Sequence, residues 1–177
     1  YSSAASDVYK RQIHLSVSAT TRAPRPGEID GVHYYFVDDA EFDRLIAEDE
    51  LLEYAVVHNR SRYGTPRAPI DAALAAGKTV LLEIDLQGAR QVRKAEPAAT
   101  LIFLLPPTWD ELVQRLVGRG TEGAEERARR LRTAKVELAA QNEFDHLIVN
   151  EDVAAAAAEV VESVSYTHLT LPTNREV

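Results

Sequence analysis

The sequence predicts an α/β fold: a parallel sheet layered with helices, carrying a small mixed β lobe inserted early in the chain. Two observations carry this. In the second half, near-continuous apolar runs at Thr79–Leu86 and Thr100–Leu105 alternate with segments of helical period, the pattern of strands buried on both faces and joined by helices. In the first half the strand-like runs are short, half-polar and close together, which suits a separate mixed lobe.

Each element follows in order. Ile13, Leu15 and Val17 alternate with polar residues as a half-buried strand. His33–Val37 is aromatic and β-branched, a second strand. Asp39–Glu50 places Phe42, Leu45 and Ile46 at helical spacing, with Asp38 or Asp39 as N-cap. Leu52–His58 is strand-like, Arg60–Thr65 a polar loop, and Ile70–Ala76 a short helix ended by Gly77. After the Thr79–Leu86 strand come a helix near Gly88–Lys94 and the strand Thr100–Leu105, stopped by Pro106 and Pro107. Thr108 with Glu111 forms a capping box for a helix ending near Val117. A long helix over Glu122–Gln141, a strand at His146–Val149 and a helix over Asp152–Glu162 complete the series.

Both ends are out of character with what they flank. Tyr1–Gln12 and Val164–Val177 resemble translated sequencing-adapter read-through, so non-native tails are expected at 1–12 and 164–177, around a domain at 13–163. Genuine divergent tails are the alternative. A net charge of -8 over 177 residues argues against a nucleic-acid polymer as the main partner. No apolar run reaches the roughly 20 residues that span a bilayer, so no membrane partner is expected. The absence of cysteine excludes disulfides and Cys-based metal sites. It is compatible with a reducing cytosol, and a cytoplasmic location is expected. The five histidines show no metal-like spacing.

Three clusters are candidates for chemistry. The stretch Ser16–Glu28 (SVSATTRAPRPGE) packs hydroxyls, prolines, Arg22 and Arg25 into thirteen residues. Two guanidiniums three residues apart suit bidentate capture of a phosphate. Tyr34 and the Arg62-Tyr63-Gly64-Thr65 segment add two phenols. A polar surface loop fits the same composition. The second cluster is carboxylates at strand ends, Glu53, Glu83 and Asp85. Guanine offers adjacent N1–H and N2–H donors that one carboxylate can accept together, and adenine lacks that pair. An exposed strand acid is the plainer account of Glu53. Asp85, set in an apolar run, needs a partner or a task. The third is Arg115–Glu122 with the arginines of the following helix, which can close over a triphosphate or simply form a solvated face. Gly77-Lys78-Thr79 looks like a P-loop tail. However, position 72 is Ala, and the segment runs from helix to strand, so it reads as a helix stop.

The segments SVSATTRAPRPGE, DGVHYYF, LLEYA, YGTP, LLEIDLQGA, FLLPP, GRGTE and IVNED occur in the order and spacing of the guanylate kinase family, which this chain resembles from Ile13 to about Glu162. The resemblance implies a P-loop nucleotide kinase-type parallel sheet, a GMP-binding lobe at about 16–78 and a helical lid at about 118–137. It also implies transfer of a phosphoryl group from ATP to GMP with Mg²⁺. By that resemblance Ser18, Arg22, Arg25, Tyr34, Glu53, Tyr63, Thr65 and Asp85 bind GMP. Arg119, Arg130 and Asn150 fall on the ATP side, and Arg25, Arg119 and Arg130 carry the catalytic charges. The family's first strand, P-loop and first helix lie upstream of Ile13, and the 177 residues contain no G-x-x-x-x-G-K-[ST]. The expectation is therefore a fragment that does not turn over. A guanylate-kinase-like module that binds phosphorylated peptides is the alternative. Against it, Ser18, Arg119 and Arg130 keep the enzyme pattern.

Overall fold

Between residues 15 and 79 the chain leaves one parallel pair of strands and returns to it. The structure, a computed structural model, describes residues 13–57, 61–117 and 124–168. It divides into two compact units, up to Ala99 and from Thr100. In the first unit, β1 (Ile13–Leu15) pairs in parallel with β6 (Thr79–Leu81), Ile13 opposite Thr79. The intervening chain forms β2 (Ala19–Thr20), β3 (Tyr35–Phe36), α1 (Asp39–Ala47), β4 (Leu51–Val57), β5 (Ser61–Pro66) and α2 (Arg67–Ala75). Its four strands make a separate mixed sheet in the order β3-β2-β5-β4. This is the inserted lobe that the sequence predicts, although Ser61–Thr65 of the expected polar loop at Arg60–Thr65 belongs to strand β5, Arg60 lying outside the described residues.

The lobe is built on α1. Asp38 caps it, accepting the Glu41 N–H at 2.8 Å. Its buried face seats Phe42 and Leu45 against Ala19 and Leu51, and Phe42 is fully buried. Arg62 on β5 stacks its guanidinium 4.6 Å from the Phe42 ring centroid and pairs with Asp39 and Asp43. That arginine ties helix to sheet. The sheet packs tightly beneath it: a Cβ on Gly64 would stand 2.9 Å from Leu51 Cδ1 and 3.0 Å from the Glu53 carbonyl.

Helix α2 ends at Gly77, whose φ of +72° is the left-handed conformation of a helix stop. Gly77 N–H donates to Leu74 O at 2.9 Å and Lys78 N–H to Ala73 O at 3.0 Å. The segment that mimics a P-loop is thus a helix terminus leading into β6. The run Thr79–Leu86 is a strand only as far as Leu81. It then becomes a connector to α3 (Leu86–Ala95), so Asp85 is no strand residue but the N-cap of α3.

In the second unit, β7 (Ile102–Leu105) pairs in parallel with β8 (His146–Val149). Helices α4 (Trp109–Val117), α5 (Ala124–Ala139) and α6 (Val153–His168) accompany them. Thr108 accepts the Glu111 N–H at 3.1 Å, as its capping role requires, and Asp152 accepts the Ala155 N–H at 2.9 Å. Helix α6 continues past Ser163. The expectation that the apolar strands are covered on both faces is not met: Leu81 is 38% and Leu104 53% exposed. Each parallel pair is two strands wide among the described residues. No described helix is long and apolar enough to cross a membrane.

Candidate functional site

Strands β4 and β5 set Glu53 opposite Thr65, and both are buried. The Thr65 hydroxyl donates to Glu53 Oε1 at 2.6 Å. A carboxylate taken out of water resists ionisation. Burial therefore raises the Glu53 pKa above its ordinary value, the nearby Asp85 charge raises it further, and the Thr65 bonds oppose both. An isolated buried acid is costly, so Glu53 is not the exposed strand acid of the plainer account. It is a buried acceptor held in place by Thr65.

Helix α3 closes over this carboxylate. Asp85 Oδ1 accepts the Gly88 N–H at 2.8 Å, which starts the helix and brings the Gly88 backbone against Glu53. A Cβ at Gly88 would collide with Glu53 Oε2 and stand 3.2 Å from Ile84 Cβ. Gln91, one turn on, pins the helix to the edge strand β4. Its amide donates to Tyr54 O at 2.6 Å and accepts the Tyr54 N–H at 3.1 Å. Of the three strand-end acids, Glu53 and Asp85 converge, whereas Glu83 is exposed. The Gly88→Ala variant is expected to unfold at lower temperature by differential scanning calorimetry, with a cost of about 1–3 kcal/mol for overpacking. A melting temperature equal to the parent's would contradict this packing.

The arginine-rich stretch is more ordered than its composition suggests. Arg25-Pro26-Gly27-Glu28 forms a tight turn, with the Glu28 N–H donating to Arg25 O at 3.0 Å and Gly27 at φ +86°. The turn sends the Glu28 side chain back to Arg22. Arg22 donates from Nη1 to Oε2 at 3.0 Å and from Nη2 to Oε1 at 2.9 Å. Its Nε–H reaches the Tyr63 hydroxyl at 3.2 Å. The guanidinium carbon lies 5.3 Å from the Tyr34 ring centroid and 5.8 Å from that of Phe36. Tyr34 meets Tyr63 edge-on at 5.9 Å. Bonding to Arg22, and then to the Arg25 N–H, holds the Glu28 carboxyl below its ordinary pKa, and Glu28 in turn raises that of Arg22.

The two arginines differ in their surroundings: the Arg22 fork is bidentate to Glu28, whereas Arg25 is exposed. Glu28, Gly88 and Gln91 have no assigned role in the sequence reading. The Arg-Pro-Gly-Glu signature, with Pro and Gly at the two centre positions of a type II turn, was the available signal for Glu28. No comparable signal marks Gly88 or Gln91.

Ser18 enters the lobe through its carbonyl, which accepts the Tyr35 N–H at 2.9 Å. Arg130 and Asn150 belong to the second unit. Arg130 is half-buried on α5, and Asn150 follows β8, its N–H donating to Leu105 O at 2.8 Å. Arg115 on α4 bonds Glu111 at 3.0 Å and Asn150 O at 3.2 Å, which accounts for it without a ligand. Arg119 and the Gly118-Arg-Gly120 corner lie outside the described residues, as does the segment 1–12. The lid range 118–137 therefore begins outside the described residues and continues as α5. No three His, Asp or Glu side chains among the described residues stand close enough to hold a metal ion.

Parallel strand pairs, helical crossovers and an inserted lobe with a buried carboxylate define the α/β nucleotide kinase class of fold. The sequence profile described as "Guanylate kinase" matches residues 4–166. The chain is 73% identical over 151 residues to the guanylate kinase of Leifsonia xyli subsp. xyli, covering 85% of this chain and 59% of that protein. It is 60% identical over 154 residues to that of Thermobifida fusca, covering 87% of this chain and 78% of that protein. The crystal structure of guanylate kinase from Anaplasma phagocytophilum superposes with a TM-score of 0.77 at 34% identity, covering 97% of this chain and 84% of that one. This chain belongs to the guanylate kinase family.

Proposed function

We propose that the lobe binds GMP and that the parent activity is transfer of the γ-phosphoryl group of ATP to GMP, giving ADP and GDP. The buried Glu53–Thr65 pair beside Asp85 carries this reading. A fixed acceptor in a dry site matches guanine N1–H and N2–H₂, and adenine has no such pair of donors. In this reading Thr65 and Asp85 complete the base site, and Ser18 is a further residue of the GMP lobe. Arg25 takes the phosphate, with Arg22, Tyr34 and Tyr63 beside it. In the reaction an oxygen of the GMP phosphate attacks the γ-phosphorus in line as the bond to ADP breaks. The protein's contribution is positioning and neutralisation of charge. Arg119, Arg130 and Asn150 are assigned to the ATP side on family resemblance. Mg²⁺ would accompany the phosphates of ATP. Among the described residues no three His, Asp or Glu side chains group as a cation site.

The 177 residues contain no G-x-x-x-x-G-K-[ST], the loop that cradles the β- and γ-phosphates. The proposal is that this chain, assayed by itself, binds GMP without turning it over. Calorimetric titration with GMP and AMP tests the first part, and GMP should bind while AMP does not. Equal binding of both, or of neither, overturns the base assignment. ADP release dependent on both ATP and GMP would overturn the second part.

A further inference from the structure

We propose that Glu28 is a positioning residue for the acceptor phosphate, acting by holding Arg22 and closing the turn that carries Arg25; this rests on the reading that the lobe takes GMP. Four of the five guanidinium N–H groups of Arg22 are engaged within the chain: Nε to Tyr63, Nη1 to Ala23 O and Glu28, and one of Nη2 to Glu28. One N–H of Nη2 remains for a ligand. Arg22 therefore gives a phosphate one directed hydrogen bond in this arrangement, and Arg25 supplies the rest.

Glu28 does two things at once. Its Oε2 also accepts the Arg25 N–H at 2.6 Å, so one carboxylate fixes the Arg22 fork and the backbone at Arg25. The side chains of the pair are 16% and 17% exposed, more enclosed than the solvent-exposed ion pairs that add little. A loop whose cations are ordered before the ligand arrives loses less freedom on binding, and that difference appears as affinity. The carboxylate does not repel the incoming dianion strongly, because its charge is matched by the guanidinium it grips.

Glu28→Gln isolates this role. The amide oxygen still accepts the Arg25 N–H, but the amide NH₂ faces the guanidinium donor to donor, so the fork opens. Titration of the full chain with GMP and with guanosine should show GMP affinity lowered about tenfold and guanosine affinity unchanged, because only GMP carries the phosphate. In an Arg22→Lys background the same change should add no further loss, since Glu28 acts through Arg22. Gly27→Ala approaches the turn from another side. No atom lies within 4 Å of the added Cβ, and only the φ of +86° is strained. It should give the same split between GMP and guanosine. Unchanged or tighter GMP binding by Glu28→Gln overturns the proposal, because the carboxylate would then be a bystander or a competitor of the phosphate. So does an equal loss for guanosine, which would mark a general collapse of the lobe. If the parent chain binds no GMP at all, the underlying reading of the lobe fails instead.

Discussion

Arg25→Ala lowers GMP affinity about 100-fold, near 2.7 kcal/mol, and leaves guanosine affinity and thermal stability where they were. The size is that of one charge-assisted hydrogen bond between guanidinium and phosphate, which contributes about 1.5–3 kcal/mol. The selectivity follows from the structure. Arg25 is exposed, and its backbone N–H and carbonyl both bond to Glu28, so truncating the side chain leaves the turn intact. Arg22→Ala should look different: it removes the partner of Glu28, the contact to Tyr63 and the cation over Tyr34 and Phe36 together. Calorimetry with the nucleotide and the nucleoside, paired with thermal melts, separates the two residues. A loss of stability in Arg25→Ala equal to that in Arg22→Ala would contradict the division of labour.

That division was half legible in the sequence. The spacing of Arg22 and Arg25 and the stiffening by Pro24 and Pro26 point to an anion. Which arginine is open depends on where a turn sends Glu28, and that is a question of backbone direction. Asp85 shows the same limit. A charge in an apolar run demands a partner, and the reasoning is sound. The partner is the Gly88 N–H, because the strand ends four residues earlier and a helix begins at Leu86. Run length alone does not distinguish a buried strand from a strand followed by an apolar connector. Elements with their own start and stop signals are found where the sequence puts them: α1 behind Asp38, α2 ahead of Gly77, and the Thr108 cap. The Glu53–Thr65 contact lies across a strand pair, where side-chain period fixes the face but not the partner. The family resemblance, not periodicity, brings those two residues together in advance.

Glu53→Gln is the variant with the largest expected effect, about a 1000-fold loss of guanosine and GMP affinity, roughly 4 kcal/mol for two hydrogen bonds to a buried charge. A neutral amide presents one acceptor and one donor edge. It suits adenine N6–H and N1 better than guanine N1–H and N2–H, so the ratio of AMP to GMP binding should rise as well. The pH dependence provides an independent check, with opposite signs for two observables. Burial raises the Glu53 pKa above the ordinary 4.5. The folded protein therefore favours the protonated acid, and this contribution to stability is full below 4.5 and lost as the pH rises through the raised value. Guanine needs the ionised form, so guanosine affinity must fall as the pH drops through that same raised value. Guanosine is the right probe, since the phosphate of GMP titrates near pH 6 itself. Lowering the pH from 7 should weaken guanosine binding while it raises the melting temperature of the parent relative to Glu53→Gln. A guanosine affinity that stays flat until the pH reaches the ordinary carboxylate range would mean that Glu53 does not read the base.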